Sequence, residues 1–304
     1  MLNLQSMHAS TQKVKGHTAR DAKFSIVIPS WNNLAYLQLC IESIKKHSKF
    51  NHEIIVHVNE GIDGTLDWVK SQPAISYSYS KENIGVCYAL NSCRTLVTTN
   101  YLLYINDDMY VCPGWDAPLA KAIEETAHNL FFFSSTAIEL KAQSNCSIEY
   151  DFGKDIASFK EADLLANYSA LPMQDWQGAT WPPNIVHIDT WDAVGGYSNE
   201  FSPGMYSDPD FSMKLWNAGV RLFRGISESR VYHFGSVSVK RVKRNKGYFT
   251  FIQKWGFTSS TLSKYYLRRG EKFTGPLEEA TVPISVQFKN FIKRLQVKFF
   301  ANQL

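Results

Sequence analysis

The run Tyr101-Leu-Leu-Tyr-Ile105 is apolar at every position and passes directly into Asn106-Asp107-Asp108. A strand solvated on one face would alternate polar and apolar residues, so a run without alternation predicts a central strand covered on both faces, as in helix-flanked parallel sheets. In such sheets the ligand crevice lies beyond the carboxyl ends of the strands. The acids at 107 and 108 therefore fall where a ligand would bind.

The neighbouring sequence repeats the same unit. Lys23-Phe-Ser-Ile-Val-Ile-Pro29 predicts a buried strand opening into a loop. A helix follows, with Leu34, Leu37, Ile41 and Ile44 on one face and Asn32 or Asn33 as its cap. Glu53 to Val58 is a second strand, Asp63-Gly64-Thr65 a turn into a short helix, and Ile75 to Tyr79 a third strand. A further helix is expected over Gly85 to Val97. Strand and helix at this rhythm predict parallel crossovers through about residue 130. Phe131-Phe132-Phe133 continues as a strand, and periodicity then fades from Lys141 to Asp175. It returns as a strand from Asn184 to Ile188, a helix over Asp208 to Ala218, and two strands near Arg221 to Phe223 and Arg230 to Phe234. The rest reads as helices.

Apolar residues at 44% and charged residues at 20% mark a folded globular protein and exclude a disordered or collagen-like chain. Five cysteines without paired spacing suit a reducing compartment, and a cytoplasmic location is expected, with peripheral attachment at the inner face of a membrane. Residues 1–22 are polar, carry no continuous apolar stretch and are expected to be disordered. Charge is split along the chain. Residues 1–220 hold 15 Lys and Arg against 24 Asp and Glu, whereas residues 221–304 hold 17 against 4. The tail should therefore attract anions, unless it simply neutralises the acidic body.

Four polar clusters end the four strands: Ser30-Trp31-Asn32 after Pro29, Asn59-Glu60, Asn83, and Asn106-Asp107-Asp108. Adjacent carboxylates at the end of an apolar strand repel each other, and a divalent cation would compensate them. Carboxylate oxygens suit Mg²⁺ or Mn²⁺. By spacing alone, a pair of solvated turn aspartates explains them equally well.

The strings Phe24-Ser-Ile-Val-Ile-Pro-Ser-Trp-Asn-Asn33, Asn83-x-Gly85-x-x-x-Ala89-x-Asn91 and Tyr101-Leu-Leu-Tyr-Ile-Asn-Asp-Asp108 resemble consecutive signatures of the family 2 glycosyltransferases. The likeness continues through Val194-Gly-Gly-Tyr197, Ser207-Asp-Pro-Asp-Phe-Ser-Met-Lys214, Tyr232-His-Phe-Gly-Ser236 and Phe251-x-x-Lys-Trp-Gly256. It implies an α/β fold of the GT-A type, a Rossmann-like, mostly parallel sheet flanked by helices, over residues 23–256. The nucleotide-sugar half would be about 23–130, the acceptor half about 131–256, and residues 257–304 a basic helical extension.

The resemblance also implies roles. Asp108 would bind the metal, with His233 as a further ligand, and Asp107 would contact the donor ribose or share the metal. Asn106 stands where the family's triplet often begins with an acid. Pro29, Ser30, Asn32, Asn59 and Asn83 would line the nucleotide-sugar site, with Gly85 letting the backbone approach the ligand. Relatives often read the base with an aspartate at the position of Val58, for which Asn59 or Glu60 would substitute here. Asp208 would be the catalytic base of an inverting transfer from a nucleotide-diphosphate sugar to a hydroxyl of a glycan or lipid-linked acceptor. Read without the resemblance, Asp208 or Ser207 could merely cap a helix and His233 could be a core histidine. Among Trp176, Trp181, Trp191, Tyr197 and Tyr206, one or two would serve the acceptor and the others the core.

Two basic features remain. Lys240-Arg-Val-Lys-Arg-Asn-Lys246 follows the His233 strand. Phe288, Phe291, Ile292, Leu295 and Phe299 recur at helical spacing beside Lys289, Lys293, Arg294 and Lys298, which predicts a basic amphipathic helix. It suits an anionic membrane surface or packing on the body. No nucleic-acid partner is expected. The competing functions are a sugar-phosphate nucleotidyltransferase, against which Pro29-Ser-Trp-Asn-Asn33 lacks the glycine-rich basic loop, and a non-catalytic glycan-binding relative.

Overall fold

The computed structural model describes residues 11–301 apart from 18, 143 and 236–245. The basic run from 240 to 245 therefore lies outside the described residues, as do residues 1–10. Eleven strands form one sheet: β1 (Gln12–Val14), β2 (Ser25–Trp31), β3 (Glu53–Asn59), β4 (Ile75–Ser80), β5 (Tyr101–Tyr104), β6 (Met109–Val111), β7 (Phe131–Glu139), β8 (Ser147–Glu149), β9 (Trp176–Gln177), β10 (Asn184–His187) and β11 (Leu222–His233). Their order is β1-β4-β3-β2-β5-β10-β7-β11-β6, with β8 beside β7 and β9 beside β11.

The parallel block β4-β3-β2-β5 is as expected. Beyond β5 the sheet is mixed. β10 is antiparallel to both β5 and β7, and β6 is antiparallel to β11. The expectation of a mostly parallel sheet holds, since β7 also runs parallel to β11 and β8; the antiparallel pairings come from β1, β6, β9 and the short β10, which enters between β5 and β7 from the opposite direction. Within the segment expected to be disordered, Gln12–Val14 pairs antiparallel with β4, and the Lys13 amine bonds to Thr95 at 3.0 Å.

The main helices are α1 (Leu34–His47), α2 (Thr65–Lys70), α3 (Gly85–Cys93), α4 (Asp116–Glu124), α5 (Glu161–Asn167), α6 (Ile188–Val194), α7 (Ser207–Asn217), α8 (Gly247–Trp255) and α9 (Ile284–Ala301). The strands have no alternation because each face has its own core. Ile26, Ile28, Val56, Leu103 and Ile105 pack with Leu37, Ile41 and Leu119 of α1 and α4. Val27, Ile55, Leu102 and Tyr104 pack on the other side with Leu90, Trp191, Phe211 and Phe251 of α3, α6, α7 and α8. The cap of α1 differs from expectation. Asn33 precedes the helix without a side-chain cap bond, and the Leu34 amide instead donates to Asp63 of the next loop at 2.9 Å.

Two strands expected near 221–223 and 230–234 are one strand, β11. Its pairing with β7 jumps between Ile226 and Arg230, a bulge in which Asp175 accepts from the Ser227 amide and hydroxyl, both at 2.8 Å. The polar residues of the bulge read as a break in sequence, yet the strand resumes on the same neighbour. Just before the bulge, Gly225 carries the Trp176 ring. A Cβ there would lie 1.8 Å from Trp176 Cε2, so only glycine lets the ring rest on β11. Gly225→Ala should displace Trp176 and destabilise the fold by about 1–3 kcal/mol, the usual cost of overpacking. Urea unfolding followed by tryptophan fluorescence checks this; an unchanged midpoint would mean that the ring does not sit there.

Candidate functional site

The carboxyl ends of β2, β3, β5, β7 and β11 open into a cavity of about 900 Å³. Its wall includes Pro29, Ser30, Asn59, Asn83, Asp107, Asp108, Asp208 and His233, eight of the nine residues expected to form the site. Asn32 is not part of that wall. Its backbone is left-handed, with φ 46°. Its amide donates to Glu60 at 2.8 Å and accepts from the Ile62 amide at 3.0 Å, so it ties the loop after β2 to the loop after β3.

Asp108 and His233 meet because of strand register. His233 pairs with Met109 of β6 on one side and with Glu139 of β7 on the other. The residue before Met109 is Asp108, whose Oδ1 lies 3.5 Å from His233 Nε2, while His233 Nδ1 lies 2.8 Å from Glu139 Oε1. All three side chains are almost wholly buried, at 3%, 11% and 14% exposure for Asp108, His233 and Glu139. Burial opposes a charge on the imidazole, but Asp108 and Glu139 outweigh it and lift the His233 pKa to about 10. The two acids on either side of the ring thus favour positive charge at His233. Glu139 was not among the site residues expected from sequence, where Phe131-Phe132-Phe133 marks a strand without placing its end. That strand continues through hydroxyl residues that bond across the sheet: Ser134 to the Trp181 carbonyl at 2.9 Å, Ser135 with Ser229 at 2.7 Å and Thr136 to the Ile226 carbonyl at 2.9 Å.

Asn106 accepts from the Tyr104 hydroxyl at 2.7 Å. Burial, followed by the charge of Asp208 and Asp108, holds the Tyr104 phenol well above its ordinary pKa, so it remains a donor. A neutral amide at 106 satisfies that donor without a third carboxylate beside Asp107 and Asp108.

Asp208 sits in the first turn of α7, which starts after Tyr206 in a left-handed conformation, φ 70°. No side chain caps this helix start. Asp208 Oδ1 instead accepts from the Tyr197 hydroxyl at 3.0 Å, and Ser207 donates to the Gly204 carbonyl at 2.5 Å. Burial raises the Asp208 pKa to about 7, and the Tyr197 bond partly offsets that rise. Tyr197 is itself fixed, stacked on Phe211 with centroids 4.5 Å apart. The other acid of the motif, Asp210, is fully buried and holds Lys254 and the Trp255 indole, each at 2.9 Å, outside the cavity wall. Of the two acids, only Asp208 faces the cavity.

At the ends of β3 and β4, Val58 is fully buried and Asn59 accepts from the Ile84 amide at 2.9 Å, while Asn83 accepts from the Gly85 amide at 2.9 Å. Gly85 is required by a neighbouring loop as well as by its own backbone. Its φ is 76°, and a Cβ there would fall 2.4 Å from Ser202 Oγ and 2.5 Å from Pro203 Cα. Of the five aromatic candidates, Trp191 and Tyr197 are core. Trp176 lines the cavity but is 3% exposed, with its indole donating to Thr136 at 3.0 Å. Trp181, at 40% exposure, and Tyr206 are left to meet a ligand.

Among the described residues, no group of three or more His, Cys, Asp or Glu side chains encloses a metal position unaided. None of their helices is long and apolar enough to cross a membrane.

Residues 25–145 match the profile described as Glycosyl transferase family 2. An uncharacterized glycosyltransferase of Rickettsia bellii (strain RML369-C) is 29% identical over 140 residues, which are 44% of this chain but 19% of that protein. In shape the chain is similar to S. aureus TarS residues 1–349, with TM-score 0.55, 13% identity and coverage of 91% of this chain and 72% of that one. It is also similar to GalNAc-T7 crystallised with UDP, GalNAc and Mn²⁺, with TM-score 0.55, 14% identity and coverage of 77% and 48%. The TarS segment has also been solved with UDP and with UDP-GlcNAc. At these identities the structural likeness is one of fold. Residues 25–145 thus match the family 2 glycosyl transferase profile, and the chain around them has the GT-A fold of these solved neighbours.

Proposed function

We propose that the protein is an inverting glycosyltransferase that moves a sugar from a nucleotide-diphosphate sugar to a hydroxyl of a glycan or lipid-linked acceptor. One observation carries this reading: a single cavity is lined both by the Asp108 and His233 pair and by the solitary acid Asp208. Asp208 is the base. With a pKa near 7 it can take a proton from a hydroxyl at neutral pH, as a carboxylate near its usual pKa could do only weakly. Tyr197 holds its Oδ1 and leaves the other oxygen for the acceptor.

A divalent cation, Mn²⁺ or Mg²⁺, fits at Asp108 and His233. The two carboxylates that hold a proton on this imidazole would equally favour a metal in place of that proton, and Glu139 orients the ring through its far nitrogen. Two protein donors suit a cation that takes its other ligands from phosphate and water. When bound, the cation offsets charge on the departing diphosphate. Neighbours of this fold hold UDP and, in one case, Mn²⁺, so uridine nucleotides are the first donors to test. Asp107, Ser30 and Pro29 are the donor contacts in this reading, with Asn59 and Asn83 shaping the turn beside the base.

The first test is donor hydrolysis across a panel of nucleotide sugars. Asp108→Ala or removal of divalent metal should reduce turnover at least about 100-fold with the fold intact by circular dichroism. Full turnover in that variant would remove the metal assignment.

The second is the pH profile. Turnover should rise with pH through about 7 as Asp208 ionises, and Asp208→Asn should lose about 10²–10⁴-fold. Because the Tyr197 hydroxyl favours the ionised carboxylate, Tyr197→Phe should move the rising limb to higher pH. A limb that stays in place would mean that some other group titrates.

We further propose that α9 rests on an anionic membrane surface. It docks by Asn290, which accepts from Thr261 at 3.1 Å, and by Val297, which is 2% exposed. Its other face leaves Ile284, Phe288, Phe291 and Phe299 exposed at 84%, 64%, 54% and 73%, beside Lys289, Lys293 and Lys298. Apolar side chains between lysines match the acyl boundary and headgroups of such a surface. The protein should sediment with phosphatidylglycerol vesicles and not with pure phosphatidylcholine, and a Phe288→Ser/Phe291→Ser/Phe299→Ser variant should stay in solution. Equal sedimentation of the variant would end this assignment.

A further inference from the structure

The cavity changes character away from its acids. One wall comes from residues 259–269, which contribute Ser259, Ser260, Ser263, Lys264 and Arg269 opposite Trp181. Around this wall the arginines of neighbouring elements hold carboxylates: Arg221 with Glu279, Arg224 with Asp175 and Arg268 with Glu271. Arg269 and Lys264 differ. Among the described residues neither makes an ion pair; the Arg269 guanidinium lies 5.2 Å from the Trp181 ring centroid and the Lys264 amine 5.4 Å from that of Tyr265. The acids sharing the cavity, Asp107, Asp108, Glu139 and Asp208, lie on other elements. Asp108 and Glu139 are turned to His233, and Asp208 to Tyr197.

Arg269 is also held in place. Its amide donates to the Ser263 carbonyl at 2.9 Å, and the Gly270 amide to the Gln177 carbonyl at 3.0 Å. The Gln177 amide donates to the Glu271 carbonyl at 2.8 Å, and the Phe273 amide to that of Asp175 at 2.9 Å. A segment stitched to β9 in this way presents its guanidinium beside an exposed indole in a fixed frame. Two cations without carboxylate partners, three hydroxyls and a tryptophan that is 40% exposed form a complementary set for a sugar that carries an anion: C–H faces stack on tryptophan, and the arginine fork receives phosphate or carboxylate oxygens.

We propose that the acceptor is an anionic glycan whose sugar ring stacks on Trp181 and whose phosphate or carboxylate is held by Arg269 and Lys264. This rests on the transfer reading above and names its substrate class. The wall also solves an electrostatic problem. Asp107, Asp108, Glu139 and Asp208 line the same cavity and would repel an anionic acceptor unless cations stood beside it.

The test uses the full chain with Mn²⁺ and UDP, titrated with glucose 6-phosphate, glucuronate and glucose and followed by calorimetry. At least one anionic sugar should bind roughly tenfold more tightly than glucose, and a Lys264→Gln/Arg269→Gln variant should lose that preference. Trp181→Ala should weaken all three sugars. UDP affinity of the Lys264→Gln/Arg269→Gln variant should stay within about twofold of the parent. Preference for phosphate alone, for carboxylate alone or for both identifies the anion. Equal binding of the three sugars would overturn the proposal, as would a parallel loss of UDP affinity, which would assign these cations to the donor diphosphate. Failure of the transfer reading is seen separately, as no UDP binding by the parent protein with Mn²⁺; the sugar series is then read without nucleotide.

Discussion

The burial of negative charge at the carboxyl end of the sheet is the constraint around which this molecule is arranged. Asp107 and Asp108 are 4% and 2% exposed at the end of a strand whose other residues are apolar. Carboxylates taken out of water need a nearby positive charge or strong donors, and without them one would hold its proton. Here strand register supplies the charge. β11 brings His233 alongside Asp108, and β7 brings Glu139 to the other ring nitrogen. The result is an alternation of carboxylate, imidazole and carboxylate with a buried positive centre. In the proposed function that centre can be a proton or a metal ion, so the burial that constrains the fold also serves the reading of a cation site.

The first half of the chain was legible because it is locally determined. Apolar runs without alternation report burial on both faces, and glycine or asparagine at their ends reports a turn; β2 to β5 and α1 to α3 follow from these signals alone. The second half depends on partners distant in sequence. Ser134-Ser135-Thr136 carries no apolar signal of a buried strand, and its hydroxyls bond to Trp181, Ser229 and Ile226, contacts 47 to 94 residues away. The bulge in β11 depends likewise on Asp175. Glu139 was invisible for this reason: only the parallel register of β7 and β11 connects it with His233.

The site residues divide along similar lines. Asp108, His233 and Asp208 were found through motif order, and all three line the cavity. Asn32 was expected there by adjacency, yet its amide is engaged with Glu60 and Ile62 of the neighbouring loop. Adjacency to a site in sequence does not tell a loop-binding side chain from a ligand-binding one, because both need short polar residues at strand ends. The contrast between Asp208 and Asp210 makes the same point. They are two residues apart on one helix, but one faces the cavity and the other holds Lys254 and Trp255.

The charge split along the sequence has a corresponding logic in space. The acidic first two thirds supply the four carboxylates of the cavity wall, and in the proposed function a cavity built only from them would exclude anionic substrates. Residues beyond Arg221 correct this locally, with Lys264 and Arg269 at the cavity wall and the lysines of α9 on the outer surface. Each group acts within about one Debye length, roughly 8 Å at physiological ionic strength, so the tail cannot neutralise the body as a whole. It acts where its side chains stand, and the position of Arg269 is fixed by the backbone bonds of its amide to Ser263 and of Gly270 to Gln177 of β9 rather than by attraction to the acids across the cavity.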